Sequence, residues 1–204
     1  MRRLRVNLEA ARGLWTSDGI AREGGLDPDR IRRAQHGDAD AFTELIEGRI
    51  GAMTRTATAI LGHEADARDA VQDALVAAWR QLPRLRDPEA FDAWLTRILV
   101  HRCRRGLRRR GVARVREIPA QALEIDDGPA ASDDLAAAER RAAIGRAFDR
   151  LSVDQRTILV LHHLDGRPLT DIGEVLRIPV GTVKSRLHHA RIALDRALAR
   201  EGGR

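Results

Sequence analysis

The stretch LTDIGEVLRIPVGTVKSRLHHAR, Leu169 to Arg191, carries two helical patterns joined by the tight link RIP. In the first, Leu169, Ile172 and Leu176 recur at three-four spacing and form one buried stripe, and Gly173 is small enough to let a second helix cross closely. In the second, Val183, Leu187, Ala190 and Leu194 fix an inward side. At about 100° per residue, Ser185, His188, His189 and Ile192 point the opposite way, with Lys184 and Arg191 on one edge and Arg186 on the other. Two helices with a tight turn, the second one longer, describe a helix-turn-helix. The outward hydroxyl, imidazole, ammonium and guanidinium groups suit base edges and phosphates in a major groove. Thr182 and the free N–H groups beside it suit a phosphate. An ordinary amphipathic helix with a polar outside gives the same pattern, so this motif alone leaves both readings open.

The chain around it is all-α in pattern. Of 204 residues, 43% are hydrophobic but only 3% aromatic, and tyrosine is absent. Alanine and leucine at helical spacing favour several short helices over a sheet. From Pro28 the pattern is helical nearly throughout. Phe42, Leu45, Ile46 and Met53 start one stripe, which ends near Gly62. EADARDAVQDALVAAWRQL keeps Val71, Ala74, Leu75, Ala78, Trp79 and Leu82 on one side, while Asp66, Asp69, Gln72, Asp73 and Arg80 look away. Pro83 stops that helix. After the loop RLRDPEA, a third helix begins with Phe91, Trp94, Leu95, Ile98 and Leu99. Ser152 is a good N-cap for SVDQRTILVLHHL, which Gly166 ends.

Four segments result. Residues 1–27 form an extension without a clear stripe, 28–111 a helical bundle, 112–135 a linker, and 136–200 the helix-turn-helix domain. The linker is broken by Pro119, Gly128 and Pro129 and turned acidic by Glu124, Asp126, Asp127, Asp133 and Asp134. The expected architecture is two small helical domains joined by a flexible linker.

Charge is concentrated. Net charge is +6, yet residues 102–116 hold eight arginines and no acid, so the remainder is mildly acidic. A single basic block on such a body suggests a polyanion-binding face, or else a solvated arginine surface. Cys103 is the only cysteine, which excludes an intrachain disulfide and a CxxC metal site. It follows Leu95 and Leu99 on one apolar face, as a buried structural thiol would. The pairs His162-His163 and His188-His189 diverge by about 100° and lack a third ligand at metal spacing. No metal, no cofactor and no enzyme active site is expected. No apolar run reaches the roughly 18 residues of a membrane span, so membrane insertion is not expected and the cytoplasm is the default location.

In combination these stretches are more specific than any of them alone. LTDIGEVLRIPVGTVKSRLHHAR resembles the promoter-reading helix-turn-helix of bacterial sigma factors of the extracytoplasmic-function type. EADARDAVQDALVAAW resembles that family's polymerase-binding helix, and RLRDPEAFDAWLTRI its promoter-melting loop and the helix behind it. The resemblance covers roughly residues 30 to 110 and 138 to 198. It implies a non-catalytic RNA polymerase subunit acting in transcription initiation, of a family tied to stress responses. Asp66, Asp69, Gln72 and Asp73 would then dock on core polymerase. Arg84, Arg86, Asp87, Arg97, His101, Arg104, Arg105 and Arg108 would meet the minus-ten element, both as duplex and as melted strand. Thr182, Lys184, Ser185, Arg186, His188, His189 and Arg191 would face the minus-thirty-five element. Leu75, His101, Arg105 and His189 depart from residues common in the family, where Phe, Asn, Asp and Arg respectively are usual.

The linker sets a length test. About 24 flexible residues span roughly 25–30 Å and reach about 80 Å when extended, whereas elements one and a half DNA turns apart are separated by roughly 50 Å. Both can be held only with the linker stretched, as by threading through polymerase. Free of polymerase, the two domains are able to fold together with both DNA faces hidden, a state that an anti-sigma partner would exploit. The chief alternative is a helix-turn-helix regulator that binds its operator as a dimer. A weaker one is an adaptor whose DNA side is vestigial.

Overall fold

The structure is a computed structural model that describes residues 27–113 and 134–201, which form helices joined by short turns and loops. Residues 1–26 of the expected extension, Trp15 among them, and residues 114–133 of the expected linker lie outside the described residues.

The first helix, α1 (Pro28–Gln35), starts on Asp27, whose carboxylate accepts from the Asp29 N–H. The sequence pattern had not separated it from the next one. The break comes at Gly37, which sits at φ 94° and turns the chain into α2 (Ala39–Leu61). Asp38 caps α2, accepting from the Ala41 N–H at 2.9 Å. Gly62 ends it in the left-handed region at φ 77°, where a side chain would be strained. One residue later begins α3 (Glu64–Gln81), which packs against α2. Pro83 ends it in a short 3₁₀ turn (Leu82–Arg84), and a second turn (Pro88–Ala90) leads into α4 (Phe91–Ala113).

These four helices enclose Ile31, Leu45, Ile60, Leu82, Phe91 and Leu99, all 2% exposed or less. Trp94 is buried and Trp79 packs edge-on to Phe42 with ring centres 5.1 Å apart, so both tryptophans are core residues as their spacing predicts. Cys103 is fully buried, and burial pushes its thiol up to about 12. The loop between α3 and α4 is pinned from below. The Gln35 side-chain amide donates to the Leu82 and Leu85 carbonyls at 3.1 and 2.7 Å.

The second unit begins with α5 (Asp134–Asp149) and α6 (Val153–Leu159). Ser152 and Gln155 form a reciprocal capping box at the start of α6. The stretch expected as one helix to Gly166 then widens into a π-type segment, Val160–Leu164, closed by the Asp165 N–H donating to the Val160 carbonyl at 3.0 Å. After Gly166 come α7 (Leu169–Leu176) and α8 (Val180–Glu201). Ile172, Val183 and Ala190 are fully buried, and Leu187 and Leu194 nearly so. A Cβ on Gly173 would stand 3.0 Å from the Ile178 carbonyl oxygen, which is why the crossing of α7 and α8 needs glycine there.

The two units pack against each other and share one continuous apolar cluster. α4 lies on α7, and α2 on α6 and the π segment. Polar contacts cross the same boundary. The Thr56 hydroxyl donates to Asp165 at 2.7 Å, the Arg167 guanidinium donates to the Thr96 hydroxyl at 2.5 Å, and Arg104 pairs with Asp154.

Candidate nucleic-acid and polymerase interface

The outer side of α8 is open. Lys184, Ser185, Arg186, His188 and His189 are all exposed, while Thr182 and Arg191 are half-buried at its edges. The expectation that closure hides both DNA faces is therefore wrong for this one: α7 packs on the inward stripe of α8 and leaves the outward side to solvent. Ser185 donates back to the Thr182 carbonyl at 3.1 Å, and Arg191 donates to the His163 ring at 3.3 Å. His163 thus serves α8 as an acceptor. Val180, 44% exposed at the first position of α8, is an apolar group on the same open end that the helical stripe did not single out. Its signal was position alone, an aliphatic residue outside the Val183–Leu187 stripe.

The candidate minus-ten residues divide. Arg84, Arg86 and Asp87 are exposed on the pinned loop, and the Asp87 carboxylate also caps its second turn by accepting from the Glu89 N–H at 3.0 Å. On α4, His101 and Arg105 are exposed, but Arg97 and Arg104 turn toward α7. A groove of about 390 Å³ separates these helices, lined by Arg97, His101, Arg102, Arg104 and Arg177 among others. Arg97 has its pKa lowered, first by burial and then by the facing charge of Arg177. Arg177 occupies the turn between α7 and α8 at φ 54°, a left-handed position usually given to glycine or asparagine. The Arg108 side chain lies outside the described ones.

On α3, Asp69, Gln72 and Asp73 form an exposed stripe. Asp66 does not fully join it, because it is half-buried in the first turn, where the helix dipole favours an acid. Val76, 47% exposed, continues the stripe one turn further and was missed because it falls outside the apolar side of the pattern.

A bundle with an acidic outer stripe, followed by a helix-turn-helix with a basic outer side, describes a two-part DNA-binding protein with a further protein-binding surface. Comparison with known proteins makes this specific. The family described as Sigma-70 region 2 matches residues 45–112, and Sigma-70, region 4 matches residues 141–194. The RNA polymerase sigma-H factor of Pseudomonas aeruginosa is 33% identical over 189 residues, covering 84% of this chain and 93% of that protein. The ECF RNA polymerase sigma factor SigM of Mycobacterium tuberculosis is 36% identical over 162 residues, 79% of each. Among solved structures, CnrH in complex with the cytosolic domain of CnrY aligns at 30% identity and TM-score 0.60, over 85% of this chain and 98% of that one. The sigma factor RpoE in complex with the anti-sigma factor NepR from Bartonella quintana aligns at 25% identity and TM-score 0.63, over 79% and 98%.

The chain belongs to the extracytoplasmic-function RNA polymerase sigma factors. It binds core RNA polymerase and directs promoter-specific transcription initiation through minus-ten and minus-thirty-five elements. The dimeric-regulator alternative falls with this assignment. Among the described residues no helix is long and apolar enough to cross a membrane.

Proposed function

We propose that the sigma activity is divided among three surfaces of this chain. The α3 stripe of Asp69, Gln72 and Asp73, with Asp66 at its edge, docks on core polymerase. The loop over residues 84–90 and the α4 residues Arg97, His101, Arg104, Arg105 and Arg108 take the minus-ten element as it melts. Unstacking a base costs roughly a few kcal/mol, which the pinned loop and neighbouring arginines would offset by holding the base and its phosphates. The α8 residues Thr182, Lys184, Ser185, Arg186, His188, His189 and Arg191 read the minus-thirty-five element. The observation that carries this division is the orientation of α8, whose apolar stripe is fully packed while five polar groups face solvent together.

On this reading 28–111 and 136–200 are the two working domains, with 112–135 the acidic tether that spaces them. The chain has no catalytic activity of its own, acts in the cytoplasm, and answers to an anti-sigma partner in a stress response. Co-elution with core polymerase tests the first surface. Replacing Asp69→Lys together with Asp73→Lys is expected to lower apparent affinity for core polymerase by at least about tenfold, since each reversal sets like charges against a basic partner. Undiminished co-elution of a folded double variant would place the docking surface elsewhere.

A further inference from the structure

α1 precedes the segment matched to Sigma-70 region 2, which begins at residue 45, yet its last residue reaches the loop between α3 and α4. Ile31 and Ala34, 0% and 3% exposed, fasten the helix to the bundle. Gly37, at φ 94°, lets the chain turn sharply out of α1. The helix therefore stands apart from α2 and packs against both 3₁₀ turns of that loop.

Gln35, half-buried in the last turn of α1, is the polar side chain aimed at the loop. Its amide nitrogen carries two N–H groups. They go to the Leu82 and Leu85 carbonyls at 3.1 and 2.7 Å, which lie 47 and 50 residues further along the chain. Leu82 follows the end of α3, where carbonyls run out of helical partners, and it also accepts from the Leu85 N–H at 3.0 Å. Leu85 and Asp87 are extended, with φ −70° and −114°, so no helical ladder keeps this backbone in place. The Asp87 carboxylate holds the far end by accepting from the Glu89 N–H. Gln35 holds the near end. Arg84 sits between the two carbonyls it fixes, Arg86 between Leu85 and Asp87, and both arginines are exposed.

We infer that Gln35 is a positioning residue for base capture, which sets the 82–87 backbone before DNA arrives so that Arg84 and Arg86 meet the unstacked base and its phosphates. The inference rests on the reading of the 84–90 loop as part of the minus-ten surface. Ordering backbone costs free energy, and a loop already ordered in the free protein does not add that cost to binding. A mere cap on α3 would show as lower thermal stability alone. A positioning role shows in how strongly the holoenzyme depends on one base.

The test uses holoenzyme assembled from core polymerase and the full chain. Gln35→Met keeps the length of the side chain and removes both donors, and Gln35→Glu keeps its shape but sets a carboxylate against the two carbonyls. The probes are single-stranded oligonucleotides carrying the minus-ten element of a promoter that the holoenzyme transcribes, intact or lacking one base at each position in turn. The wild-type holoenzyme should prefer the intact strand at one position at least. Both variants should co-elute with core polymerase and bind the strand lacking that base with wild-type affinity. Their preference for the intact base should fall about two- to tenfold, and opening of the duplex promoter should slow by a similar factor. An undiminished preference in both variants overturns the role of Gln35 and leaves the loop reading standing. Loss of co-elution also overturns it, since Gln35 would then serve the fold or the docking on polymerase. A wild-type holoenzyme indifferent to every missing base overturns the loop reading itself, and the positioning role with it.

Discussion

Lowering the pH should close the free protein, and Asp165 should be responsible. Its side chain is 4% exposed in the docked form and its pKa there is raised from 3.8 to about 6. Parting the units returns the carboxyl to water and to its ordinary range. The closed form therefore binds the proton more tightly. Its favourable contribution to closure is complete below the open-form pKa and disappears as pH rises through about 6. The rise from 3.8 to about 6 limits the effect to about 3 kcal/mol. Between pH 7.5 and 5.0 only part of it is sampled, a change of about tenfold in the closed-to-open ratio. Dyes on Glu47→Cys and Glu174→Cys, exposed positions on α2 and α7, report the ratio by energy transfer. Transfer should increase as pH falls, and Asp165→Asn, which keeps an acceptor for Thr56 without the charge, should be closed and insensitive across the range. That control also separates Asp165 from His162 and His163 on the adjoining segment. Transfer that decreases on acidification, or an unchanged titration in Asp165→Asn, would refute the reasoning.

Other outcomes follow from single sites. Gly173→Val forces a Cβ to 3.0 Å from the Ile178 carbonyl oxygen, and should destabilise the helix-turn-helix by about 1–3 kcal/mol, read as a lower melting temperature. Cys103, buried with its thiol raised to about 12, should resist a thiol-reactive chromophore until denaturant is added, and then react fully. Lys184→Ala and Arg186→Ala should each reduce the log-log salt slope of promoter binding by about 0.9 if each neutralises one phosphate, measured by fluorescence anisotropy of the polymerase complex.

Much of this was legible before any coordinates. The spacing of Val183, Leu187, Ala190 and Leu194 required one packed side, and that side is buried. Gly173 was readable as a close crossing, Ser152 as a cap and Cys103 as a core thiol, because each depends on neighbours within a helical turn or on one apolar stripe. The docking of the units was not legible in the same way. Thr56 and Asp165 are 109 residues apart, and neither belongs to a periodic pattern. Arg104 sits in a run of arginines that suggests a polyanion-binding or solvated face, yet its partner Asp154 lies in the first turn of α6. Arg177 in a left-handed turn gives no sequence signal, since glycine or asparagine is the residue that announces such a position. The same gap explains why α8 was expected to be covered on closure. Periodicity identifies the buried side of a helix but not which surface of a whole domain meets another.

The most direct test of the account is run-off transcription with purified core polymerase on templates that carry both promoter elements, either one alone, or neither. The account predicts a transcript that requires this protein, is strongest with both elements at their normal separation, and falls when a half-turn of DNA is inserted between them. A transcript independent of the protein, or tight binding of the protein by itself to a symmetrical site with no contribution from polymerase, would contradict it.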